Sequence, residues 1–157
     1  DVGTDKMKEI GNAIAEGVIT VLATDHAPHT TDEKSLPFDA APFGIIGLET
    51  ALAGYAEALL ETGTLNWPRL LGMLTVAPAD LCNLGPQQRG RDALGRLAVD
   101  GPADITIIDP AHEWTVATDD LAGKSKNTPF LGRSFRVRPV ATIVDGMIAM
   151  SRLPSVA

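Results

Sequence analysis

Thr20-Val21-Leu22-Ala23-Thr24-Asp25-His26-Ala27-Pro28-His29 is the stretch whose reading decides the fold. With Val18 and Ile19 before it, Val21, Leu22 and Ala23 make a short, nearly continuous apolar run. Such a run reads as a strand buried on both faces, the usual pattern of a parallel sheet. It ends abruptly in an acid and two imidazoles, Asp25, His26 and His29. Pro28 lacks a backbone N–H and steers Ala27 away from helical geometry, so the strand gives way to a loop. An ionisable cluster at the carboxyl end of a buried parallel strand is where α/β enzymes place their chemistry. The same residues equally fit a strand end whose polar groups are solvated or cap a neighbour.

Working outward, the spacing predicts a helix over Thr4 to Glu16. Met7, Ile10, Ala13 and Ile14 form one apolar stripe, Thr4 can cap it, Asp5 suits its first turn and Gly17 ends it. Helix and following strand are the αβ half of a βαβ unit. Thr30 to Phe43 reads as a long loop, with Asp32, Glu33 and Lys34 as solvated surface. It closes on Pro42-Phe43-Gly44, a rigid, a bulky and a permissive residue in series. Gly44 would let the backbone come close to something, although an ordinary helix start explains the triplet better. A helix is predicted over Ile45 to Glu61, with Ile45, Leu48, Leu52, Tyr55 and Leu59 as its apolar stripe and Gly63 as its stop. Asn66 caps a further helix with Pro68 in its first turn and Trp67, Leu70, Leu71 and Leu74 on its buried face. A last short helix, Ala79 to Leu84, starts at Pro78 and ends at Gly85. Cys82 lies on it and reads as buried packing, since no histidine stands in a matching motif.

After Gly85 the texture changes. Gly90, Gly95, Gly101, Pro102 and Pro110 punctuate β-type runs at Arg96 to Val99, Ile105 to Ile108, Trp114 to Ala117 and Val140 to Val144. Asp145-Gly146 is a tight hairpin signal joining the last of these to Met147–Met150. The chain therefore divides into residues 1–85 and 86–157, with the boundary at Gly85 to Arg91. Lys124, Lys126, Arg133, Arg136 and Arg138 fall in a stretch without an acid. A polyanion site is one reading; a surface that offsets or docks on the acidic remainder is the preferred one, because aromatic residues are sparse there. His112 is isolated and reads as non-functional.

The 157 residues can bury a real core, and 45% hydrophobic content argues for a globular fold. A net charge of −7 argues against nucleic acid as a partner. No apolar run is long enough to predict a membrane span. Cys82 is the one cysteine, so no intrachain disulfide forms, which suits a reducing, cytoplasmic compartment. No leader pattern is visible. The chain opens at Asp1 inside a helix pattern, which suggests a piece of a longer protein.

Three stretches together resemble dihydroorotase of the amidohydrolase superfamily, in its longer bacterial class. They are Ala23-Thr24-Asp25-His26-Ala27-Pro28-His29, then Leu36-Pro37-Phe38-Asp39-Ala40-Ala41-Pro42-Phe43-Gly44-Ile45-Ile46-Gly47-Leu48-Glu49-Thr50, then Lys124-Ser125-Lys126-Asn127-Thr128-Pro129-Phe130-Leu131-Gly132. Gly101 to Pro110 adds a weaker amidohydrolase-type signal. The resemblance runs from about Val18 to Met150.

The resemblance implies an α/β protein. Residues 1–85 would be the end of a (β/α)8 TIM-like metal-dependent hydrolase barrel, and residues 86–157 strands of a small β-sandwich domain. It implies reversible cyclisation of N-carbamoyl-L-aspartate to dihydroorotate in de novo pyrimidine biosynthesis, with one or two zinc ions. Most zinc ligands in the family, a His-x-His pair, two further histidines and an acid or carboxylated lysine, are absent from this chain. They would lie in the remainder of the dihydroorotase chain, and this chain alone would be inactive. By resemblance Asp25 is both metal ligand and proton carrier, His29 binds the substrate carboxylate, and the Phe43-Gly44 backbone contacts the ring. His26 matches a motif position without a direct role. The alternative is a metal-free pseudo-dihydroorotase that survives as a structural partner of aspartate transcarbamoylase; intact Asp25, His29 and Phe43-Gly44 favour the active form. An independent binding module has little beyond chain length to support it.

Overall fold

Thr4 to Ala15 is rich in helix formers, and it does become a helix, one residue pair longer at its start than predicted. The computed structural model describes residues 2–84 and 94–154. Its elements in chain order are α1 (Val2–Ala15), α2 (Thr31–Lys34), α3 (Ala51–Tyr55) with a π-helical continuation over Ala56–Leu60, α4 (Trp67–Leu74) and α5 (Val76–Leu81). Strands β1 (Ile105–Asp109), β2 (Trp114–Thr115), β3 (Ser134–Phe135), β4 (Arg138–Val144) and β5 (Met147–Ser151) follow, with a 3₁₀ turn at Thr118–Asp120. The chain forms two compact units. One takes Asp1–Leu22, Ala58–Asp109 and Pro139–Ala157; the other takes Ala23–Glu57 and Pro110–Arg138. The predicted boundary at Gly85 to Arg91 lies outside the described residues.

In the first unit, Thr4 falls inside α1 rather than capping it. Gly17, at φ +80°, turns the chain out of the helix while Val18 and Ile19 N–H still reach Ala13 O at 2.9 and 3.0 Å. Of the predicted stripe only Ile14 is buried; Met7 and Ile10 are exposed. The predicted strand Val18 to Thr24 is not one. It carries no strand assignment, and Val18 is 73% exposed. The reason is that a parallel strand exists only through neighbours on its edges, and among the described residues none pairs with this segment. Beyond the bonds of Val18 and Ile19 to Ala13, its backbone tie within the unit is Leu22 N–H to Met73 O at 3.2 Å.

Asn66 caps α4 as predicted, its side chain accepting Arg69 N–H at 3.1 Å, with Pro68 in the first turn. Leu70 and Met73 are the fully buried residues of α4; Trp67, Leu71 and Leu74 are half-buried. The next helix begins at Val76 rather than Ala79, and Cys82 is its exposed C-cap rather than a core residue. Arg96 to Val99 is not a strand either. Gly95 packs its bare Cα side against Thr75 O, and Arg96 donates to both Asp80 oxygens at 3.1 and 2.7 Å, which holds the segment in a turn. The sheet order is β1-β4-β5. Asp145 and Gly146, at φ +49° and +75°, make the predicted two-residue turn, with Val144 opposite Met147 and a bulge at Thr142/Ile143.

The second unit has its own core of Ile46, Ala53, Trp114, Val116, Leu121 and Phe135, with Phe130 packed against it. Trp114 donates its indole N–H to Val137 O at 2.9 Å, so the large ring is buried with its polar atom satisfied. Trp114 faces Phe135 across the β2–β3 ribbon, and Thr115 pairs with Ser134. The basic stretch serves this unit. Lys126 donates to Leu121 O at 2.5 Å, Arg133 pairs with Glu57, and Arg138 pairs with Asp120 while lying 4.4 Å over the Trp114 ring. Its arginines thus face acids of the same unit, while Lys126 serves backbone carbonyls.

The predicted helix over Ile45 to Glu61 starts regularly only at Ala51. Ile45, Ile46, Gly47 and Leu48 instead bond to residues of other loops: Ala27 N–H to Ile45 O at 2.9 Å, Ile46 N–H to Asn127 O at 3.2 Å, and the N–H groups of Gly47 and Leu48 to His26. Those bonds displace the helical ones. Among the described residues no helix is long and apolar enough to cross a membrane.

Candidate functional site

All four predicted site residues, Asp25, His29, Phe43 and Gly44, lie in the second unit on two loops, 23–30 and 42–48. The first loop is anchored where Tyr55 donates its phenol to Ala23 O at 2.6 Å. Burial raises the Tyr55 pKa, so the phenol keeps the proton that this bond needs. Asp25 follows at φ +46°, a left-handed geometry uncommon outside glycine. Its side chain is exposed and makes no hydrogen bond or ion pair among the described residues.

His26 points its Nδ1 at the second loop and accepts N–H groups from Gly47 at 3.1 Å and Leu48 at 3.4 Å. An acceptor Nδ1 places the proton of the neutral ring on Nε2. His29 shows the same tautomer. Its Nε2 donates to Phe43 O at 2.9 Å, which leaves Nδ1 facing Glu33 Oε2 at 3.8 Å. Gly44, at φ +104°, presses directly against the first loop. A Cβ there would sit 2.4 Å from Ala27 Cβ and 3.7 Å from His29 Nε2. So the close approach read as a possibility at Gly44 is a backbone packed on the Ala27 methyl, with Phe43 held 94% exposed beside it. Lys34 braces the same loop by donating to Pro42 O at 2.9 Å and Gly44 O at 3.2 Å; the lysine predicted to be solvated surface is half-buried.

His29 leads into α2 through a capping box. Thr30 Oγ accepts Glu33 N–H at 3.2 Å, and Glu33 Oε2 accepts Thr30 N–H at 2.8 Å. The Thr30 backbone bond, helped by its hydroxyl and by His29, holds the Glu33 carboxyl below the usual carboxylate range. Beside His29 opens a cleft of about 570 Å³, lined by His26, His29, Glu33, Glu49, Lys124 and Ser125 among others. One Glu49 oxygen accepts Ala122 N–H at 3.1 Å, while the other is buried without a hydrogen-bond partner among the described residues. Asp25, Phe43 and Gly44 do not line this cleft.

No family model matches the chain. The dihydroorotase of Solibacter usitatus is 42% identical over 139 residues, which is 88% of this chain and 30% of that protein. The dihydroorotase of Geotalea daltonii is 43% identical over 143 residues, 91% of this chain and 32% of that protein. The chain is dihydroorotase-like. It spans about a third of the length of the curated relatives it matches. Among solved structures, D-hydantoinase (dihydropyrimidinase) from Thermus sp. superposes with a TM-score of 0.79 at 27% identity, over 96% of this chain and 32% of that one. L-hydantoinase (dihydropyrimidinase) from Arthrobacter aurescens gives 0.78 at 26%, over 94% and 32%. The dihydroorotase-like chain is therefore an α/β piece with the fold of a part of these hydantoinases.

Within it, His29 and Phe43-Gly44 are brought together by direct contact, and Asp25 stands apart from them on the same loop. Among the described residues no group of three or more His, Cys, Asp and Glu side chains is placed to hold a metal ion. Asp25 by itself falls short of the three protein ligands that a catalytic zinc requires. Sequence reasoning missed Ser125, which reaches the first loop, and Asn127, which reaches both, and left His26 without a role. The one signal for Ser125 and Asn127 was their place inside Lys124–Gly132, a stretch that carries the resemblance.

Proposed function

We propose that this chain is the C-terminal part of a dihydroorotase, a cyclic-amide hydrolase that reversibly closes N-carbamoyl-L-aspartate to dihydroorotate in pyrimidine biosynthesis. Residues 1–85 would complete its (β/α)8 barrel and residues 86–157 would supply β-sandwich strands. The observation that carries the reading is the contact of His29 with Phe43-Gly44 in a chain more than 40% identical to dihydroorotases. Zinc, as one or two ions, belongs to this reading, with ligands other than Asp25 supplied by the remainder of the dihydroorotase chain; a cytoplasmic setting belongs to it as well. No observation favours the metal-free partner of aspartate transcarbamoylase.

In this reading Asp25 carries a proton between water and the ring nitrogen, a role suited to a carboxylate with no competing partner. His29 holds the substrate carboxylate. Its Nε2 proton serves Phe43 O, so the ring must either carry a second proton on Nδ1 or release Phe43 to bind an anion. The Phe43-Gly44 backbone borders the ring.

The test is steady-state kinetics with metal analysis on the complete enzyme. Asp25→Asn removes the base and should lower turnover by roughly 10²–10⁴-fold with some loss of metal. His29→Ala should raise KM and lower kcat at unchanged metal content, because a misplaced substrate also reacts slowly. Loss of metal in His29→Ala together with full activity in Asp25→Asn would show the roles to be reversed.

A further inference from the structure

We infer that Asn127 is the positioning residue of this site, tying together the two loops that carry His29 and Phe43-Gly44. The inference rests on the site reading above and deepens it. Asn127 lies 98 residues beyond His29. Its Nδ2 donates to Ala27 O at 3.1 Å and to Gly44 O at 3.3 Å, one carbonyl on each loop. Its Oδ1 faces His29 N–H at 3.4 Å, and its own backbone carbonyl accepts Ile46 N–H at 3.2 Å. The orientation of the amide follows from the partners: two carbonyl oxygens can face only the NH₂ end, and an N–H only the oxygen. Four bonds from one half-buried residue therefore hold both sides of the His29–Phe43 contact.

Ser125 is the companion. Its Oγ accepts His29 N–H at 3.2 Å, donates to His29 O at 2.6 Å, and lies within hydrogen-bond reach of Asn127 Oδ1. A hydroxyl has one proton, so His29 O and Asn127 Oδ1 share it. Ser125 supports the backbone of His29 alone, whereas Asn127 spans both loops. Neither has to touch substrate, and each would act by fixing where His29 and Gly44 stand.

The discriminating change is Asn127→Asp, which keeps size and Oδ1 but turns the donor end into an acceptor against two carbonyl oxygens. In the complete enzyme, with dihydroorotate and N-carbamoyl-L-aspartate as probes, KM should rise at least about tenfold, more than kcat falls, at wild-type metal content. Asn127→Gln should recover part of the KM and Ser125→Ala should cost less than either. Amide exchange in the same proteins should quicken at Ala27, His29 and Ile46 in Asn127→Asp, with the Val140–Val144 strand unchanged. Unchanged exchange at those three amides, or a wild-type KM in Asn127→Asp, would overturn the inference. Absence of dihydroorotate turnover in the wild-type enzyme would overturn the proposed function instead, and the exchange measurement would still decide the role of Asn127.

Discussion

Replacing Gly44 by alanine tests whether the two site loops are held by close packing of the Gly44 backbone on the Ala27 side chain. The added Cβ would lie 2.4 Å from Ala27 Cβ, where carbon atoms prefer about 3.5–4.0 Å, so one loop must move by roughly 1 Å or more. The φ of +104° adds backbone strain of about 1–3 kcal/mol for a residue with a side chain. Overpacking adds about 1–3 kcal/mol more. The total, about 2–6 kcal/mol, acts on local opening of the loop pair rather than on global unfolding. At about 1.4 kcal/mol for each factor of ten, even the lower bound reduces amide protection roughly 30-fold. The amides to follow in hydrogen exchange are Ala27, bonded to Ile45 O at 2.9 Å, and Ile46, bonded to Asn127 O at 3.2 Å. Gly54→Ala is the matched control, since a Cβ on Gly54 in α3 meets nothing within 4 Å and should stabilise by about 1 kcal/mol. Wild-type protection of Ala27 and Ile46 in Gly44→Ala would refute the packing account.

Two further outcomes follow. The 157-residue chain alone should show no dihydroorotase turnover and no stoichiometric zinc, and it should self-associate through exposed apolar residues such as Met7, Val18, Met147 and Ile148; sedimentation of a stable monomer, or turnover by this chain, would contradict this. The α2 capping box should fail in acid. Glu33 titrates lower when folded than when unfolded, so its contribution is present above the unfolded carboxylate range and is lost as pH falls through the lowered folded value. Exchange of the Glu33 and Lys34 amides against pH would show this, and Glu33→Gln should flatten the dependence.

Local chemistry was readable from the sequence wherever a few neighbouring residues decide the backbone. The helical span and Gly17 stop of α1, the Asn66 cap with Pro68, and the Asp145-Gly146 turn each depend on residues within a few positions, and each is present. That His29 and Phe43-Gly44 belong together was readable from motif order and resemblance. What needed the tertiary structure depends on partners far along the chain. Val18 to Thr24 has the composition of a buried strand, but a strand is made by the edges beside it, and no partner for it stands among the described residues. Ile45 to Leu48 has helical spacing, yet Ala27, His26 and Asn127 take its backbone groups first. The roles of His26 and Asn127 left no periodic trace at all, because a side chain that bonds backbone some 20 or 100 residues away imposes no pattern on its own neighbours.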